Sequence, residues 1–275
     1  MRRTRLVFFA PLMALTACAT TPSAYDAAEG DPWEGFNRSI YSFNDAVDGA
    51  VLKPAAQGYR AVVPQPVRTG VSNALDNVDE PVSFINAILQ GKFKRAFRAV
   101  DRFAVNTTYG VLGTTDRAAE LGLDKQSEDF GQTLAVWGVG SGPYLVLPIF
   151  GPSSIRDAVG FGVGQVTNPW GRFQSRTLDL TTIEQGGVAA FEAVELRNRL
   201  IDTADPLLEN ALDPYATIKS AYIQTRTAEI FDGNPPAPAD DGFDSMEDFE
   251  PMDDFIEDDP VLTDPEAPQA SDPTS

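Results

Sequence analysis

The stretch Lys92-Phe93-Lys94-Arg95-Ala96-Phe97-Arg98-Ala99-Val100-Asp101-Arg102-Phe103-Ala104-Val105 decides the fold class. Phe93, Phe97, Val100 and Ala104 recur at intervals of four, three and four, with Phe103 beside them, which is the period of one helix face. Lys94, Arg95, Arg98 and Arg102 fall on another face. An aromatic face set against a basic one suits a helix lying among lipid headgroups. It suits equally a core helix with a solvated basic side. Both readings stay open at this point, and both make the segment a helix.

The chain on either side reads the same way. Asp79-Glu80-Pro81 is an acidic helix start, followed by Val82, Ile85 and Leu89 and ended by Gly91; a short helix near Val67 to Leu75 precedes it. Residues 53–66 hold three prolines and Gly58 and read as a turn or an extended crossing. Asp31-Pro32 opens the domain, since Asp caps a helix and Pro fits its first position. The same pair recurs at Asp205-Pro206 and Asp213-Pro214. Phe36, Ile40, Phe43 and Val47 then form one helix face, with Arg38, Ser42 and Asp45 on the other. Residues 183–204 and 206–231 read as closing helices, with Tyr215, Ile218 and Tyr222 at intervals of three and four. Gly233 and Pro235 end the fold.

Residues 138–171 differ in kind, interleaving glycines and prolines with apolar residues. Gly138-Val139-Gly140-Ser141-Gly142 lacks the spacing of a dinucleotide loop and the Lys-Ser/Thr of a P-loop. No Gly-x-Ser-x-Gly elbow occurs there. These glycines therefore read as tight turns and close approaches. Gly160, Gly162 and Gly164 would let a segment lie tightly on a neighbour or on lipid. Helix starts dominate and strand alternation is scarce, so the expectation is a mainly α single domain over residues 31–232.

The two ends carry different information. Arg2, Arg3 and Arg5 precede an apolar run from Leu6 to Leu15, and Leu15-Thr16-Ala17-Cys18 closes it. This is the grammar of an export signal over residues 1–17. The run is too short to span a bilayer, which takes about 20 apolar residues. Leu-Thr-Ala-Cys resembles a bacterial lipobox, at which the cysteine receives a diacylglycerol. Cys18 is the one cysteine of 275 residues and is the expected lipid-attachment site. Several acyl chains on one residue hold a protein stably to a membrane, where one chain holds it marginally. Ala19, where inner-membrane lipoproteins often carry Asp, resembles the outer-membrane sorting pattern. Residues 18–30 read as a tether. Residues 233–275 hold 14 of the 40 acidic residues and no base, and read as an acidic, Pro-rich, disordered tail.

Composition excludes several classes. The net charge of −19 comes largely from the tail, and the part expected to fold keeps 18 bases against 26 acids, a mild acidic excess. That balance argues against nucleic acid as a partner, because binding it requires a concentrated basic surface. Without histidine, and with its cysteine committed, the chain can build neither a Ser-His-Asp nor a Cys-His nucleophile, nor a metal site based on those residues. No catalytic residue, metal site or cofactor is expected beyond the acyl groups on Cys18.

A family resemblance now comes into view. Asp31-Pro32-Trp33-Glu34-Gly35-Phe36-Asn37-Arg38 is followed by Val63-Pro64-Gln65-Pro66, Glu80-Pro81 and Gly138-Val139-Gly140-Ser141-Gly142-Pro143-Tyr144. Leu147-Pro148, Arg156-Asp157, Asp213-Pro214-Tyr215 and Ala221-Tyr222 come after. In this order, behind a lipobox, the set resembles the MlaA (VacJ) lipoproteins of Gram-negative outer membranes. The acidic tail is longer than that pattern requires. The resemblance implies a ring of short amphipathic α-helices in the inner leaflet of the outer membrane, around a polar channel. It implies removal of mislocalised phospholipids from the outer leaflet, delivery to a periplasmic carrier protein, and association with a porin trimer. The competing readings are a porin-associated structural lipoprotein without lipid transport and, ranked last, a carboxylate- or Ser-based lipid hydrolase. Arg95, Arg98 and Arg102 are the candidates for phospholipid phosphate contact, because guanidinium matches phosphate oxygens bidentately. Trp33, Trp137 and Trp170 mark either the interfacial level or the core.

Overall fold

The computed structural model describes residues 31–235. The expected signal 1–17, Cys18, the tether 18–30 and the tail from residue 236 lie outside the described residues. The first helix, α1, covers Glu34–Val47. Asp31 accepts the Trp33 N–H at 3.1 Å, so the Asp-Pro pair makes a turn and the helix starts three residues later.

Residues 53–66 differ from the expected turn. A π-helical turn, Asp48–Leu52, carries α1 straight into α2, Lys53–Val62. Pro54 follows that turn directly. A proline ring clashes with the carbonyl four residues back, and one wide turn is a common remedy. Pro64 and Pro66 fall at the start of the next helix, where a missing N–H costs nothing.

That helix, α3, runs unbroken over Gln65–Leu89 through Pro81, where the sequence suggests two helices. Contacts on both sides of the proline hold it. Asn77 donates to Thr107 at 3.0 Å, Glu80 meets Arg102 at 2.6 Å, and Ser83 accepts the Glu128 N–H at 3.3 Å. Gly91, at φ +73°, turns the chain into α4, Phe93–Thr108. Short helices α5, Arg117–Glu120, and α6, Phe130–Val136, follow, capped by Asp116 and Asp129.

Strands β1, Tyr144–Leu147, and β2, Gly151–Ser154, form an antiparallel hairpin. Then come α7, Ile155–Thr167, α8, Pro169–Arg176, and α9, Thr182–Leu200. The last expected helix is two: α10, Ala204–Glu209, and α11, Pro214–Ile230. Asp213 caps α11 by accepting the Ala216 N–H at 3.2 Å. Asp205 caps nothing; it pairs with Lys53 at 3.1 Å and with Arg197 at 2.8 Å.

The contacts close a circuit. α1 meets β1 and the π turn; α2 meets α9; α9 meets α8; α8 meets α3; α3 meets α4 and α6; α6 meets α7; and α7 returns to the hairpin. The mainly α class expected from the sequence is the observed one. Among the described residues the apolar cluster of buried side chains is small: Tyr144, Val146 and Tyr215, joined by Ile40, Tyr41 and Tyr222. Gly160 of α7 supplies the close approach expected of it, against the backbone of Gly131 in α6, whereas Gly162 and Gly164 face open space.

Candidate functional site

The polarity of the domain is inverted. Its buried side chains are mostly alanine, asparagine, glutamine and ion-paired residues, and its large apolar side chains are mostly exposed. In α1 the Phe36 and Phe43 face points outward. The face turned inward carries Asn37 and Asn44, seven residues apart. Asn37 accepts the Val146 N–H at 2.9 Å and donates to the Tyr144 carbonyl at 3.0 Å. Asn44 accepts the Ile149 N–H at 2.7 Å and donates to the Leu147 carbonyl at 2.9 Å. Two side-chain amides thus stand in for a third strand along the free edge of β1, answering the edge's need for partners.

α4 repeats the inversion. Phe93 and Phe97 are 60% and 66% exposed, while Ala96, Ala99, Arg102 and Asn106 are buried. Arg102 is 2% exposed and donates through Nε to Glu80 at 2.6 Å, through Nη2 to Asp116 at 3.1 Å, and through Nη1 to the Leu123 carbonyl. Burial alone would lower its pKa, but Glu80 and Asp116 overcome that and hold the guanidinium charged. Burial pushes Asp116 up, and the Ala119 N–H, Arg102 and Asn106 bring it below the usual carboxylate range. Arg95 sits 2.5 Å from the buried Glu128 and 3.0 Å from Asp232.

A second polar knot ties α11 to α6 and α7. Arg226 meets Asp129 at 2.6 Å and Asp157 at 3.0 Å, while Arg156 and Tyr222 donate to Asp157 at 2.9 and 2.5 Å. Burial raises the Asp157 pKa, yet the Arg156, Arg226 and Tyr222 hydrogen bonds outweigh it and hold the group at about 2. The knot needs room, and Gly131 supplies it: a Cβ there would fall 2.5 Å from Arg226 Nη2 and 2.6 Å from Asp157 Oδ1.

Between α3 and α9 the bridges are polar side chains. Arg68 donates to Asn198 at 2.9 Å, Ser72 donates to Glu195, and Asp76 meets Arg199 at 2.9 Å. Further along the same pair of helices, matched charges give way to two carboxylates. Asp79 is open to solvent yet surrounded by protein, and loss of water pushes its pKa up. Burial likewise raises Glu192, against a hydrogen bond from Trp170, and the charge of Asp79 adds to the rise. The side chains that α3 and α9 turn toward each other are thus polar and charged.

The three arginines singled out by sequence fare differently. Arg102 is a structural ion pair, so its expected headgroup role is corrected: each guanidinium nitrogen already has a partner and the side chain is buried. Arg95 is held by Glu128 and Asp232. Arg98 is half-buried and carries no ion pair among the described residues. Of the tryptophans, Trp33 and Trp137 are exposed, as interfacial residues would be, and Trp170 stacks on Phe173 at 5.6 Å. Sequence reasoning missed the Asn37–Asn44 device, whose signal was two amides on a helix face seven residues apart. Among the described residues no cluster of three or more potential ligands could hold a metal ion, and no helix is long and apolar enough to cross a membrane.

Taken together, the fold and its burial pattern define a class: a helical domain with large apolar side chains outside and polar ones within. The chain belongs to the MlaA lipoprotein family, whose model matches residues 29–229. It is 36% identical over 245 residues to a Haemophilus influenzae protein named intermembrane phospholipid transport system lipoprotein MlaA, covering 84% of this chain and 92% of that one. It is 35% identical over 214 residues to the Escherichia coli K12 protein of the same name, covering 76% and 82%. An uncharacterized Rickettsia bellii protein is 36% identical over 201 residues, covering 73% and 76%. A solved structure described as "Structural basis for maintenance of bacterial outer membrane lipid asymmetry" contains a chain 35% identical to this one. The two match with a TM-score of 0.62, over 74% of this chain and all of that one.

Proposed function

We propose that this chain is an outer-membrane lipoprotein that removes mislocalised phospholipids from the outer leaflet and passes them to a periplasmic carrier, maintaining lipid asymmetry without covalent chemistry. The inverted polarity carries this reading. A charged headgroup in the hydrocarbon centre of a bilayer costs several kcal/mol at least. A polar interior lowers that barrier, and an apolar exterior keeps the interior open to lipid. The names of the Haemophilus influenzae and Escherichia coli relatives support the substrate class.

Acyl groups on Cys18 would anchor the domain to the periplasmic leaflet. A porin trimer and a soluble lipid carrier are the partners that the family resemblance supplies. Arg98, with no ion pair among the described residues, is the arginine best placed to meet a phosphate. The test is deletion in the native cell followed by labelling of surface-exposed phospholipid. Exposed phospholipid rises on deletion and falls again on return of the gene. An unchanged outer leaflet would refute the proposal, and fatty acid released from vesicles by the purified chain would revive hydrolysis.

A further inference from the structure

A phospholipid moving along a polar interior leaves a problem that the charged lining cannot solve. Its acyl chains are as unwelcome beside carboxylates such as Asp79 and Glu192 as its headgroup is in hydrocarbon. The chains need an apolar track of their own.

Two clefts of the domain differ in chemistry. One lies between α1 and α11 and is charged, with Glu34, Arg38 and Lys219 on its walls. The other, about 440 Å³, runs along α3 over Pro66, Val67, Gly70, Val71, Ala74 and Leu75, and Thr114 and Thr115 close its side. Its volume lies within the range of small-ligand sites, about 300–1,000 Å³. It has no charged residue in its lining. The α3 residues repeat every four positions, so they form one helix face about 14 Å long. Gly70, which has no side chain, and Ala74, with a single methyl, leave room along this face. The polar seam with α9 uses Arg68, Ser72 and Asp76 of the same helix. α3 therefore presents a charged strip to one side and an apolar trough to another.

The wall of the trough is held in place at a cost. Val111 and Leu112 both occupy the left-handed region, at φ 53° and 57°, which a β-branched residue rarely tolerates. Tight contacts enforce it. Gly113 abuts Asn77, where a Cβ would meet the side chain at 2.8 Å, and Asn73 donates to the Thr114 carbonyl at 3.1 Å. The strained turn presses Thr114 onto α3 beside Gly70 and leaves Leu112 76% exposed.

We propose that this groove holds one acyl chain of the phospholipid being moved. The proposal rests on the transport reading above and adds the place where the tail travels.

The test uses the full-length acylated protein in vesicles that contain a phospholipid with a diazirine in its acyl chain. After irradiation, adducts are mapped by peptide mass spectrometry. They are expected to concentrate on residues 66–75 and 114–115, several-fold above the outward face of α4, and one phospholipid per chain survives mild detergent extraction. Gly70→Leu fills the trough, and Ala74→Leu does so independently. Each is expected to remove those adducts and the retained lipid while adducts on Phe97 persist. A Cβ at Gly70 meets Thr114 no closer than 3.5 Å, an ordinary contact, and an unchanged helical circular dichroism checks that each variant keeps its fold. Adducts spread evenly over the apolar exterior, adducts unaltered by either filling variant, or a groove covered by a co-purifying polypeptide would overturn the proposal. None of these outcomes touches the transport reading, which fails only if deletion leaves the outer leaflet unchanged.

Discussion

At Gly160 in α7 a single added carbon would stand 2.5 Å from the Gly131 nitrogen and 2.7 Å from its Cα, and backbone atoms cannot yield as a flexible side chain can. Gly160→Ala is therefore expected to destabilise by about 1–3 kcal/mol through overpacking. Gly162, two residues on, has nothing within 4 Å of its Cβ position. Gly162→Ala is expected to stabilise by about 0.5–1 kcal/mol, because alanine loses less backbone entropy in a helix. Thermal unfolding in one detergent compares the two, and equal shifts would contradict the observed crossing. The same crossing governs acid stability. Asp157, held at about 2, carries its stabilisation in full above the ordinary carboxylate range and loses it as pH falls from about 4 toward 2. A depression of that size corresponds to about 2 kcal/mol. Asp157→Asn is expected to lower the melting temperature at pH 7 and to flatten the acid limb, read by unfolding at stepped pH. Sequence spacing could flag Gly160 as a close-contact glycine. It could not separate it from Gly162 and Gly164, because that depends on where α6 lies.

α4 shows what periodicity tells and what it leaves out. The intervals of Phe93, Phe97 and Val100 located the helix and its two faces, but which face turns inward depends on the solvent outside. In water an aromatic stripe is the buried one; here it is exposed and Arg102 is inside. This predicts an inversion of the usual substitution pattern. Phe97→Ser is expected to change detergent stability by no more than about 0.5 kcal/mol, the level of an ordinary surface change. Arg102→Gln leaves Glu80 buried beside an uncharged neighbour and is expected to cost about 3–5 kcal/mol. Equilibrium unfolding of the two variants decides, and a larger loss at Phe97 than at Arg102 would restore the water-facing arrangement. The element boundaries were less legible for a related reason. Pro54 and Pro81 read as breaks in isolation, yet both lie inside helical stretches. The π turn absorbs one, and contacts to α4 and Glu128 hold the helix through the other. Tertiary contacts of that kind are invisible in a local window.

For the molecule as a whole, the anchor and the surface make separable claims about the membrane. The proposed anchor would put acyl chains on Cys18, while the domain itself exposes Phe36, Phe43, Phe93, Phe97, Phe150 and Leu112. A water-soluble domain on a tether would come free once the anchor is removed. A domain of inverted polarity would not, because apolar patches of this extent do not persist in water unpaired. Each square ångström kept from water contributes about 25 cal/mol, so a girdle of such side chains rivals an acyl chain in its hold. Cys18→Ser, exported behind a cleavable signal with an ordinary small-residue site, is accordingly expected to remain with the membrane fraction through high-salt and carbonate washes and to require detergent for release. The acylated protein requires detergent as well, so the informative comparison is a third form, Cys18→Ser with Phe93→Ser, Phe97→Ser and Leu112→Ser. These exposed positions bear little on folding, and their loss is expected to move the unacylated domain into the soluble fraction with its helical circular dichroism intact. Release of the single variant Cys18→Ser into the wash would mean that the acyl chains alone hold the protein. The outward phenylalanines would then belong against another polypeptide, and the lipid-facing assignment of the exterior would fall.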